Sequence, residues 1–148
     1  MKLVTSKATI LVQPPGLEGI YKQIEQCGRT CYKSEDKITE DSAKKFVDLL
    51  IKNGHLAMLE HGTVYLTFEV NYTDRNIIDM MDKYEKNPYS KIDYEAGYSY
   101  VTTNYRVLVE NKWLEDLKYL CDPTELHEKR YTMKFITDRG VSHKRFVA

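Results

Sequence analysis

The sequence predicts an α+β domain, a small and mainly antiparallel sheet flanked by helices, and three observations carry that reading. Residues 63–70 alternate strictly, with Val64, Leu66, Phe68 and Val70 on one face and Thr63, Tyr65, Thr67 and Glu69 on the other, the period-2 pattern of a half-buried strand. Ala43, Phe46, Val47, Leu50 and Ile51 recur at helical spacing just before it, forming an apolar stripe. Further runs rich in β-branched and aromatic residues lie at 3–12 and 131–136, so strands and helices intermingle along one chain.

Taken in order, residues 3–12 read as a first strand that closes at Pro14-Pro15-Gly16, a turn signal. Leu17, Ile20, Tyr21, Ile24 and Cys27 then predict a helix, with Gly28 as the place where the chain turns out of it and 29–33 as a loop. Thr39, followed by Glu40 and Asp41, predicts the next helix start, because its hydroxyl can accept an unpaired amide and the acids suit the positive end of the dipole. Asn53-Gly54 supplies residues that tolerate a left-handed stop, so His55 falls just beyond a helix end.

After the 63–70 strand, Thr73 is placed to cap a helix through Ile77, Met80, Met81 and Tyr84, which must end by Asn87-Pro88. Residues 86–97 read as a tyrosine-bearing loop. The stretch 98–110 is ambiguous: Tyr98, Tyr100 and Val101 suit a strand, whereas Val107, Leu108, Trp113, Leu114, Leu117 and Leu120 suit a helix ended by Asp122-Pro123. Asn104-Tyr105-Arg106 reads as a surface turn, with a ligand-facing role as the alternative. Tyr131 to Ile136 reads as a strand, and Asp138 is placed to cap a last helix. No repeat, low-complexity tract or interdomain linker interrupts this pattern.

The whole chain narrows the function classes. Its 148 residues, 42% apolar and 11% aromatic, suffice for one domain, 1–148, with a real core. The 22 basic and 22 acidic side chains cancel, so no global field holds the protein on nucleic acid or an anionic membrane, and an anionic ligand must be met by a local cluster. No apolar run approaches the roughly 20 residues of a membrane helix. An odd cysteine set, Cys27, Cys31 and Cys121, and a start without a leader pattern point to a soluble protein of the reducing cytoplasm.

Cys27 and Cys31 would share a helix face and make half a zinc site, but no second ligand pair has suitable spacing, since Cys121 stands alone and His127 and His143 lie far apart. Buried small cysteines and no metal are the expectation. The segment Gly54-His55-Leu56-Ala57-Met58-Leu59-Glu60-His61 places two imidazoles and a carboxylate between a helix end and a strand, the kind of rigidly held loop where chemistry sits. Glu60 and His61 hydrogen-bonded to each other or to backbone at a strand entry is the plainer alternative. No Gly-x-Gly-x-x-Gly or phosphate-loop motif and no nucleophile elbow is present.

The Gly-His-x-x-x-x-Glu-His pattern directly before a Thr-x-x-Phe strand resembles the segment that, in the flavin-dependent thymidylate synthases, sets its first histidine beside the flavin. That histidine is His55 here. Ala57 stands where the family often has a small hydroxyl residue against the cofactor, and Met58 where a proline is usual. Upstream, Arg29-Thr30-Cys31-Tyr32 is similar to the family's Arg-x-Ser-Tyr/Phe turn near the flavin phosphates, with Cys31 in the serine's place. The resemblance therefore implies Arg29, Cys31, His55 and Ala57 as cofactor-binding residues and leaves the catalytic residues unassigned.

Downstream, Phe135-Ile136-Thr137-Asp138-Arg139-Gly140-Val141-Ser142-His143 is similar to the approach to the family signature, Arg-His-Arg followed by Ser and Glu, which has no counterpart before Ala148. About sixty residues between Val70 and Tyr131 amount to an insertion relative to the shortest members. The resemblance implies the family reaction, a methyl transfer that turns deoxyuridylate into thymidylate with methylenetetrahydrofolate, FAD and NADPH, on a homotetramer with shared sites. Without the signature the chain alone is expected to lack a complete active site. A non-catalytic nucleotide- or flavin-binding or assembly module, and a truncated gene product, are the alternatives.

Overall fold

Two small antiparallel sheets, where the sequence pointed to one, alternate with helices in the computed structural model, which describes residues 5–137. In chain order the elements are β1 (Lys7–Leu11), α1 (Gly16–Cys31), α2 (Ser42–Lys52), β2 (Thr63–Glu69), α3 (Arg75–Lys86), β3 (Lys91–Glu95), β4 (Tyr98–Asn104), α4 (Tyr105–Asn111) and β5 (Thr132–Ile136). Three 3-10 segments, Glu35–Lys37, Leu56–His61 and Leu114–Tyr119, lie between them. The elements fall into two units, one over Met1–Val12 with Tyr131–Ala148 and a larger one over Gln13–Arg130.

The first unit is a ribbon in which β1 and β5 pair antiparallel from Lys7↔Ile136 to Leu11↔Thr132, so both terminal strand expectations hold within the described residues. The helix expected after Asp138, and the residues from Asp138 to His143 that resemble the approach to the family signature, lie outside them.

In the larger unit the sheet order is β2-β4-β3, all antiparallel. The inward face of β2 buries Val64, Leu66 and Phe68 as its alternation predicts, against Ile20 and Ile24 of α1, Phe46, Val47 and Leu50 of α2, Met80 and Tyr84 of α3, and Leu108 of α4. Each such side chain contributes roughly 1.5–3 kcal/mol on burial. An exposed i,i+4 ion pair such as Lys44–Asp48 is screened by water and adds little, so the apolar core holds the unit together.

Several boundaries differ from the sequence reading, each for a local reason. Helix α1 does not stop at Gly28 but runs to Cys31. A Cβ on Gly28 would stand 2.5 Å from the Phe46 ring, so this glycine admits α2 rather than ending α1. The expected 29–33 loop therefore begins only at Tyr32. Helix α2 starts at Ser42 rather than Thr39, because Ser42 Oγ accepts from the Thr39 amide at 2.8 Å and closes the preceding turn. The cap of α3 is Asp74, which accepts from the Asn76 amide at 2.9 Å, rather than Thr73.

Residues 86–97 are not a loop: β3 lies within them and forms a hairpin with β4 through Ala96 and Gly97, both at positive φ (50° and 82°), the conformation of a two-residue type I′ turn. The ambiguous stretch 98–110 is both things in turn, β4 and then α4, joined at buried Asn104, whose side chain accepts from the Val107 amide at 3.0 Å. Asn104-Tyr105-Arg106 is thus a strand-to-helix junction and not a surface turn. The helix does not continue through 113–120, because Lys112 adopts a left-handed conformation, φ 62°, and Trp113 donates back to the Leu108 carbonyl at 2.8 Å. The chain resumes as the 3-10 segment Leu114–Tyr119, anchored where Asp116 accepts from the Tyr84 hydroxyl (2.8 Å) and pairs with Lys83 (2.6 Å).

The other face of the three-stranded sheet is covered by residues 120–130. His127 is buried there edge-on to Tyr65 (5.2 Å between ring centroids) and Tyr100 (5.6 Å). The Thr124 amide donates to its Nδ1 at 3.0 Å, which leaves the proton on Nε2, 3.2 Å from the Leu66 carbonyl oxygen. Burial pushes the His127 pKa below its ordinary value, although the Leu66 carbonyl and the Asp93 carboxylate act the other way. Burial likewise pushes the neighbouring Cys121 thiol up.

Candidate functional site

The placement of His55 begins with a glycine. At the end of α2, Asn53 closes the helix and Gly54 turns left-handed with φ 69°. The Gly54 amide donates to the Ile51 carbonyl (3.1 Å) and the His55 amide to the Leu50 carbonyl (2.9 Å), the paired bonds of a Schellman motif. The backbone of His55 is thereby tied to a helix whose other face lies in the core. The chain then enters the 3-10 segment Leu56–His61, in which Leu59 is buried. Gly62 follows in close approach to α1, since a Cβ there would stand 2.7–2.9 Å from Ile20 and Ile24.

An open cleft of about 520 Å³ forms over this turn, lined by Tyr32, backbone and side chains from Gly54 to Met58, Arg106 and Glu110. Its size falls in the range of small-molecule sites, roughly 300–1,000 Å³. Tyr32 caps the C-terminal end of α1, and its hydroxyl lies 3.4 Å from His55 Nδ1 with the two rings 6.4 Å apart. Ala57 is also part of the lining. Arg106 of α4 donates from Nε to Glu110 (2.8 Å) and from Nη1 to Glu60 (2.6 Å). These two carboxylates, Glu110 first, hold its pKa above the ordinary guanidinium value. Glu60 therefore pairs with Arg106 and not with His61.

The four residues singled out as cofactor-binding are separated by the fold. His55 and Ala57 line the cleft, whereas Arg29 and Cys31 do not. Cys31 is the exposed last residue of α1, on the same helix face as the partly buried Cys27. Arg29 turns to the interior: Nε donates to buried Glu25 at 3.2 Å and the guanidinium lies 4.4 Å over the Phe46 ring. Glu25 also accepts from Ser42 Oγ at 2.9 Å, so this network joins the end of α1 to the start of α2. The amides that follow are already used, Tyr32 to Gly28, Lys33 to Thr30 and Ser34 to Arg29.

Glu110 is a cleft residue that the sequence reading did not bring to the site, and Arg106 one that it offered only as the alternative to a surface turn. They lie some fifty residues from His55, beyond the β2-β4 pairing, and reach it because the Tyr105 amide donates to the Gly62 carbonyl at 2.8 Å and docks α4 against the Leu56–His61 segment. The polar residue Arg106, two places after the Asn104 cap, was the signal available for finding them.

A second depression of about 530 Å³ lies between α3 and the Leu114–Tyr119 segment, but its acids and lysines are of mixed sign and Lys83 and Asp116 are committed to each other. Among the described residues no group of three or more His, Cys, Asp or Glu side chains is arranged to hold a metal ion, and no helix is long and apolar enough to cross a membrane.

Tyr32, His55 and Arg106 line one small open cleft. Residues 17–83 match the family described as thymidylate synthase complementing protein. The match takes in both the Arg29–Tyr32 and the Gly54–His61 motifs, so the resemblance to the N-terminal portion of the flavin-dependent thymidylate synthases is shown over that stretch. No curated protein and no solved structure matches the chain.

Proposed function

We propose that this protein is similar in function to the flavin-dependent thymidylate synthases and that the His55 cleft is the floor of an FAD site. One observation carries the reading: Tyr32 from the first family-like motif and His55 and Ala57 from the second, 23 residues or more apart in sequence, line a single cleft. The cleft also suits a flavin ring. Gly54 has nothing within 4 Å of where a Cβ would stand, so backbone can approach a flat ligand closely. The half-exposed Tyr32 ring offers a face for stacking.

In this reading Tyr32 and His55 hold the ring and orient its polar edge, while the Leu50–His55 amide link fixes the imidazole against the ligand. The flavin, when bound, supplies the hydride chemistry. The family reaction with deoxyuridylate, methylenetetrahydrofolate and NADPH, and the tetramer with shared sites, extend the proposal to the whole protein: this chain contributes one portion of a site completed by further residues or subunits. A second reading, a flavin- or nucleotide-binding module without catalysis, is favoured by the Arg29–Glu25 pair and the spent amides of Tyr32, Lys33 and Ser34, none of which is left to meet a phosphate.

The test is an FAD titration of the full chain followed by quenching of flavin fluorescence, with and without deoxyuridylate. Saturation at micromolar FAD supports the flavin floor, and tighter binding with deoxyuridylate supports the synthase reading over the module. Absence of saturation would contradict the flavin floor in both.

A further inference from the structure

We propose that Arg106 is the anion-recognising group of the His55 cleft, taking a phosphoryl group of the ligand in place of the Glu110 carboxylate; this rests on the ligand-site reading above and names the residue that meets the ligand's charge. The need for such a group follows from the other end of the site. At the end of α1 the Tyr32, Lys33 and Ser34 amides are bound to backbone carbonyls at 2.9, 3.3 and 2.9 Å, and the C-terminal end of a helix repels negative charge. Arg29 is engaged by Glu25 and Phe46. Arg29 and these amides are thus not available to an anionic ligand, and within the cleft another cation must meet it.

Arg106 is the residue with a permanent positive charge among those lining the cleft. A guanidinium carries five N–H donors in a fixed planar fork. Nε serves Glu110 and one Nη1 proton serves Glu60, which leaves three of the five without an acceptor among the described residues. The side chains of Glu60 and Glu110 are 55% and 41% exposed, so water screens both and holding them costs side-chain entropy. A phosphoryl group offers three oxygens, binds the fork bidentately and makes the stronger, charge-assisted bonds. Glu110, one turn along the same short helix, is the partner that swings out to solvent, while Glu60 keeps Arg106 tied to the Leu56–His61 segment and aimed across the His55 turn.

The experiment titrates the full chain with inorganic pyrophosphate, FAD and riboflavin, in the wild type and in Arg106→Gln and Glu110→Gln, following the Arg106 Nε resonance alongside flavin fluorescence. FAD is expected to bind at least about tenfold more tightly than riboflavin, the effect of one charge-assisted contact. Arg106→Gln removes that preference and leaves riboflavin unchanged, and Glu110→Gln, which removes the competing carboxylate, tightens FAD and pyrophosphate. Equal affinity for the two flavins, or a preference that survives Arg106→Gln, overturns the role of Arg106 while the flavin reading stands. If neither flavin binds, the flavin reading fails, and pyrophosphate decides this one separately: a saturable shift of Arg106 Nε that Glu110→Gln strengthens supports it, and an unmoved resonance overturns it.

Discussion

The His55 amide donates to the Leu50 carbonyl at 2.9 Å, so the imidazole at the candidate site is placed by a residue whose own side chain lies in the core. Gly54 makes this bond possible through its left-handed conformation, φ 69°. Since a Cβ there meets nothing within 4 Å, Gly54→Ala costs only the backbone strain, about 1–2 kcal/mol. Urea unfolding should show that loss, with Gly54→Asn milder because asparagine tolerates the left-handed region. An unchanged midpoint in Gly54→Ala would mean that the turn relaxes and His55 is not fixed by it.

Gly28 is expected to lose stability on the same substitution for a different reason, crowding rather than backbone strain. In an exposed helix, glycine to alanine gains about 1 kcal/mol. Here the new Cβ would meet the Phe46 ring at 2.5 Å, and Phe46 is pinned between the core and Arg29. Gly28→Ala is therefore expected to lower stability by about 1–3 kcal/mol through overpacking. A gain in thermal midpoint would contradict the close crossing of α1 and α2.

The carboxylate of Glu25 holds Arg29 and accepts from Ser42 while its side chain is nearly fully buried. Glu25→Ala leaves a largely buried guanidinium without its carboxylate, while the Ser42 hydroxyl keeps the Thr39 carbonyl at 3.0 Å; breaking such a pair costs about 3–5 kcal/mol, reduced here because Arg29 retains some contact with water. Glu25→Gln, which keeps an acceptor for Ser42, should recover part of the loss. Equal stability for Glu25→Ala and the wild type by calorimetry would show that the network does not join α1 to α2.

His127 gives the stability a pH dependence with a definite sign. Its folded pKa lies below the ordinary value because burial disfavours the imidazolium, and protonated Nδ1 would confront the Thr124 N–H. Above about pH 6.5, the unfolded pKa, both states are neutral at this ring. Below it the unfolded chain binds a proton that the folded chain resists, so stability falls as pH falls until the folded pKa is passed. Urea midpoints between pH 7.5 and 5 should decline more steeply in the wild type than in His127→Gln. Parallel slopes would rule out His127 as their source.

Much of this architecture was legible where one local pattern sufficed. The alternation of Val64, Leu66 and Phe68 gave β2 and its buried face, the stripe from Ala43 to Ile51 gave α2, and Asn53-Gly54 gave the stop that presents His55. What was not legible depends on contacts between distant segments. Gly28 looks like a helix stop in sequence, and only the Phe46 ring shows that it is a packing glycine. The β3-β4 hairpin was hidden because Ala96, a poor left-handed residue, precedes Gly97 in the turn where Asn or Asp is the usual signal. Arg106 reached the cleft through the docking of α4 on Gly62, and Arg29 left it because Glu25 lies one turn earlier on the same helix.

The measurement that bears most directly on the account is the comparison of FAD affinity and thermal stability in the wild type and His55→Ala. His55 makes its anchoring bonds through the backbone, and its imidazole Nδ1 lies 3.4 Å from the exposed Tyr32 hydroxyl. His55→Ala is expected to weaken FAD binding by about tenfold or more while the melting temperature stays nearly unchanged. Unchanged FAD binding together with a large loss of stability would contradict it and make His55 a residue of the fold alone.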